Sequence, residues 1–134
     1  MSLDPVRSVA IRDGRFAPDA FVFLFESLDT AIRVAGREDA KGPSRHVTGR
    51  ELLEGMRVHA SEIFGPMAAH VWQSWGIHET INWGHVVFLL VEEGLLNSQP
   101  TDTIDDFKEG FDFNEAFVEN YVPELPVELG PEDS

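Results

Sequence analysis

Cysteine is absent from the 134 residues. That excludes disulfides and thiolate metal sites and removes any need for an oxidising compartment. No apolar run approaches the ~20 residues that span a bilayer; the longest strongly apolar one is VVFLLV at 86–91. The opening MSLDPVRSVAIRDG has Asp4, Arg7 and Arg12 where a signal peptide would carry its apolar core. A cytoplasmic protein without a membrane partner is therefore expected. Phosphate-binding loops, zinc-ligand spacings and nucleophile signatures are missing too, and no cofactor is expected.

Basic residues are scarce in one part of the chain only. Residues 1–57 hold nine Lys or Arg and nine Asp or Glu, and are neutral. Residues 58–134 hold fifteen acids against Lys108 alone, and so carry the entire net charge of −14. Such a field repels phosphate backbones and attracts basic surfaces. It argues against nucleic acid as a partner and for a protein with a basic surface; self-association is compatible with it.

What is present suffices for one domain with a real core. Hydrophobic residues make up 43%, and a chain of this length buries roughly two-thirds of its unfolded surface. The patterning predicts a mainly α single-domain bundle of about six helices, near 4–13, 18–35, 49–63, 66–75, 81–93 and 113–121. Asp4-Pro5 and Ala17-Pro18-Asp19 open the first two. In the second, Phe21, Leu24, Leu28, Ala31, Ile32 and Ala35 follow the 3.6 period. GREDAKGPSRHV (36–47) reads as an exposed loop. Thr48 and Glu51 form a capping box, Gly65-Pro66 joins two helices, Gly76 stops the fourth, and Thr80 is the expected cap of the fifth. LLNSQPTDTIDDFKEGFDF beyond it reads either as an irregular acidic loop or as a short β-hairpin near 95–112, which would make the domain winged-helix-like. Asp112 and Glu115 resemble a second capping box. The tail PELPVELGPEDS (123–134), with three prolines and four acids, is expected to fray, leaving 1–122 as the domain.

The stretch HVWQSWGIHETINWGH (70–85) holds all three tryptophans and three of the five histidines. The tryptophans lie on or beside predicted core stripes, so packing accounts for most of the stretch. An indole left at the surface beside His78 would mark a binding site instead. Trp72, Trp75, His78 and Trp83 are thus candidate protein-binding residues, together with the acids Asp105, Asp106, Glu109 and Asp112. For a metal, His59, Glu62 and His70 are the candidates, though their spacing matches no known ligand pattern. A calcium loop begun at Asp105 places Gly110 correctly but puts Phe107 and Ala116 where oxygen ligands belong. The helix pair near 66–93 suits a winged-helix DNA-binding shape, yet the second helix has neither Lys nor Arg for phosphate contacts.

RHVTGRELLEG (45–55), FGPMA (64–68), VVFLLVEEGLL (86–96) and DFKEGFDFNEAF (106–117) together resemble an uncharacterised family of small bacterial proteins found chiefly in planctomycetes and verrucomicrobia. The resemblance runs from Val6 to Val122 and implies a free-standing single-domain protein. It carries over no activity and no catalytic residues. The function expected from the residues is a non-enzymatic protein–protein interaction module using the acidic C-terminal face. The alternative is a small-ligand or metal-dependent enzyme using His59, Glu62 and His70, and a winged-helix DNA-binding regulator ranks third.

Overall fold

Local signals at the helix ends set the frame. The computed structural model describes residues 4–97 and 102–119. Five α-helices lie among them: α1 (Asp4–Asp13), α2 (Pro18–Val34), α3 (Gly49–Phe64), α4 (Ala68–Ser74) and α5 (Thr80–Glu92). Pro18 occupies the first turn of α2, where its missing N–H is no loss. At α3 the Thr48 hydroxyl accepts from the Glu51 amide at 3.1 Å, and the Glu51 carboxylate accepts from the Thr48 amide at 2.8 Å. Gly65, at φ 57°, ends α3 in the left-handed region, and a short 3₁₀ turn over Gly65–Met67 leads into α4.

The most extensive helix pairing joins α2 to α3. It depends on Gly55, where a Cβ would fall 2.4 Å from Ala31 Cα, so the two backbones abut. Phe23 of α2 lies at the centre of the core. Its ring packs on His59, Phe64, Trp72, Trp75 and Trp83 at centroid distances of 5.2–5.9 Å. Trp72 in turn meets Phe113 and Phe117 edge-on, each at 5.0 Å. The indole N–H groups of Trp72 and Trp83 are buried without an oxygen or nitrogen acceptor, and the aromatic rings packed around them are the weak acceptors at hand.

The mainly helical expectation holds, but two of its details do not. The described residues contain five α-helices rather than six, because 115–119 forms a π-helical turn. Asp112 makes its half of the expected capping box, its Oδ1 accepting from the Glu115 amide at 2.9 Å. Residues 120 and 121, the end of the expected sixth helix, lie outside the described residues, as does the tail 123–134.

No strand, and so no winged-helix hairpin, occurs among the described residues of 95–112. The segment is instead keyed into the helices. A 3₁₀ turn over Ile104–Phe107 pushes Phe107 against Gly49 and Gly84, where added Cβ atoms would lie 2.8 and 2.9 Å from it. Thr80 is part of the same joint. It is buried, donates its hydroxyl to the Phe107 carbonyl at 2.7 Å and accepts from the Gly110 amide at 2.9 Å. The cap of α5 is therefore made by other residues: Asn82 Oδ1 accepts from the amides of His78 and Glu79.

Candidate functional site

Between α2, the start of α3, α5 and the 102–107 segment lies a cleft of about 640 Å³. Its apolar wall comes from Leu28 and Ile32 of α2, Leu52 of α3, Val87, Phe88 and Val91 of α5, and Leu96. These side chains are spaced to follow one face of each helix, and all but Leu52 remain partly exposed. The rim is polar: Arg45, His46, Thr48, Asn97, Asp102, Thr103 and Asp106. A concave, mainly apolar site of this size with a few polar groups has the form of a small-molecule site, which typically encloses about 300–1,000 Å³.

Residues of the loop 36–48 also line the cleft, and charged contacts hold that loop in shape. Arg45 donates through Nη1 to the carbonyls of Arg37, Glu38 and Ala40, which closes the loop on itself. Arg37 pairs with Glu51, so the end of α2 is tied to the cap of α3. The Arg37 hydrogen bond, with further help from the Thr48 amide, holds the Glu51 carboxyl below the usual carboxylate range. His46 Nε2 lies 3.0 Å from Asp102 Oδ2, and both side chains are largely withdrawn from solvent. This pair bridges two segments of the cleft lining that lie 56 residues apart in sequence.

No protein-family model, curated protein or solved structure matches the chain.

The residues singled out in the sequence fall in several places. Trp72 and Trp83 are fully buried in the core, which removes them from any docking surface, and Trp75 is partly buried against Phe23 and Phe64. No aromatic side chain belongs to the exposed large hydrophobics among the described residues. His59 packs its ring on Phe23 at 5.2 Å, Glu62 lies 3.9 Å from Arg33 across α2 and α3, and His70 is exposed on α4. The described residues contain no group of three His, Asp or Glu side chains able to hold a metal ion.

The four acids divide as well. Asp106 lines the apolar cleft. Asp105 is exposed and pairs with Lys108 at 3.0 Å. Glu109 and Asp112 line a second, shallower groove of about 610 Å³ with His78, Glu79 and Lys108. Sequence reasoning missed His46, Asp102 and the whole apolar cleft. The partial signal available was the width of the apolar face of α5, which exceeds what one packing partner covers.

Proposed function

We propose that this chain binds a small, largely apolar molecule in the cleft between α2, α5 and the 102–107 segment. The supporting observation is the cleft itself: a partly exposed apolar wall, a polar rim, and a loop wall braced before any ligand arrives. Bracing matters because a preformed site avoids the ordering cost that otherwise subtracts from affinity. The polar groups favour holding over reacting. His46 is engaged by Asp102 and the Thr48 hydroxyl by the Glu51 amide, and no hydroxyl–imidazole pair forms among the described residues. A ligand screen by NMR on the intact chain tests this. Hits are expected to shift the backbone amides of Val87, Val91 and Leu96, and Val91→Phe, which fills the cleft, is expected to abolish them. Hits that survive Val91→Phe, or that map elsewhere, would refute the proposal.

A second reading keeps the interaction module inferred from charge. It is favoured by the shallower groove, whose lining includes the acids Glu79, Glu109 and Asp112. A basic protein surface is the partner that this groove suits.

A further inference from the structure

We infer that the molecule held in the apolar cleft is an amine, an apolar body whose protonated nitrogen binds the Asp106 carboxylate; the inference rests on the ligand-binding role proposed above. Four ionisable residues line the cleft: Arg45, His46, Asp102 and Asp106. Three already have side-chain partners: Arg45 Nη1 donates to loop carbonyls, and His46 and Asp102 hold each other. Asp106 differs. Among the described residues its carboxylate has no hydrogen bond or ion pair, although the residue is partly buried. The nearest lysine in sequence, Lys108, pairs with Asp105 instead.

The position of Asp106 is set by the fold. Its Cβ packs on the backbone of Gly49, where an added Cβ would come within 2.7 Å. Its amide donates to the Thr103 carbonyl at 3.0 Å. A carboxylate fixed beside an apolar wall and lacking a partner discriminates among ligands by their head groups. At Asp106 a neutral apolar group would strip water from the carboxylate and return nothing, and an anionic group would meet like charge. An ammonium group supplies three donors, for which Asp106 is the charged acceptor and Thr48, Asn97 and Thr103 offer neutral oxygens. The net charge of −14 adds a long-range attraction for cations.

The test compares n-hexylamine, n-hexanol and n-hexanoate, which share a chain and differ in head group. Each is titrated at neutral pH into the intact protein while the amide signals of Val87, Val91 and Leu96 are followed. Hexylamine is expected to bind about tenfold more tightly than hexanol, as a charge-assisted hydrogen bond provides, and hexanoate most weakly. Asp106→Asn is expected to remove the preference for the amine and leave hexanol unchanged. Asp105→Asn, outside the cleft, is expected to retain it. Should Asp106→Asn not fold, the wild-type ranking decides. Amine and alcohol binding equally in the cleft would overturn the amine inference while leaving the ligand-binding role standing. No shift at the cleft with any of the three would overturn both, and amine-specific shifts confined to the exterior acids would overturn the inference.

Discussion

Glu51 serves two structures at once. Its carboxylate accepts from the Thr48 amide at the start of α3 and pairs with Arg37 at the end of α2. Because these contacts lower its pKa, the stabilisation is fully present above the ordinary carboxylate value and is lost as pH falls through the lowered folded value. Glu51→Gln keeps the shape and removes the charge. Wild type is therefore expected to be more stable than Glu51→Gln at neutral pH. The difference should begin to shrink as the pH falls below about 4, where the unfolded carboxylate protonates, and should vanish only below the lowered folded value. Solvent screening keeps the effect modest, so urea titrations of the two proteins at several pH values are the appropriate measurement. Parallel stability curves across that range would show that Arg37 contributes nothing through charge.

At the scale of elements, the tightest constraint is the α2–α3 contact at Gly55 and Ala31. Glycine to alanine in an open helix stabilises by about 0.5–1 kcal/mol. Here the new methyl meets backbone atoms that cannot rotate away, so Gly55→Ala is expected to destabilise by about 1–3 kcal/mol, read from chemical denaturation. The same contact explains how much of the fold was legible. Helix limits could be read because their caps are local: Thr48 with Glu51, Pro18, and the Gly65-Pro66 joint all act within a few residues. The keyed segment 102–113 could not, because Phe107 is positioned by Gly49 and Gly84, both far away in sequence. Phe107, Phe111, Phe113 and Phe117 supply buried or partly buried rings to the core. Their irregular spacing among acids obeys neither a helical nor a strand period. Thr80 differs for a related reason: a threonine before an apolar run resembles a cap, but its partners lie 27 and 30 residues ahead. The apolar cleft was illegible because four separate segments build it, and none carries a motif.

For the molecule as a whole, the asymmetry of charge remains the property that any encounter partner meets first. Surface fields of this kind extend about 8 Å at physiological ionic strength. They act on association more than on dissociation. A basic protein partner captured from the native cell should therefore associate more slowly with a variant carrying Asp105→Asn, Glu109→Gln and Asp112→Asn, with its dissociation little changed. The asparagine at 112 still caps the turn that follows, and Asp106 is left intact because it faces the cleft. Rate constants measured at two salt concentrations decide the matter: an association rate indifferent to both salt and the triple change would remove the acidic groove from consideration. Duplex DNA is expected to bind weakly at best near 0.15 M salt.

The crossing of Trp72 and Trp83, with ring centroids 5.2 Å apart and planes 79° from one another, also makes the core an optical device. Two indole chromophores this close, held at a fixed and nearly perpendicular angle, share their excitation. Their coupling should appear as a paired positive and negative band in the ultraviolet circular dichroism, and it should vanish when the pair separates. Because neither indole lines the cleft, that signal should stay constant as a ligand binds and collapse only when the aromatic core opens, giving a built-in readout of unfolding that is blind to occupancy.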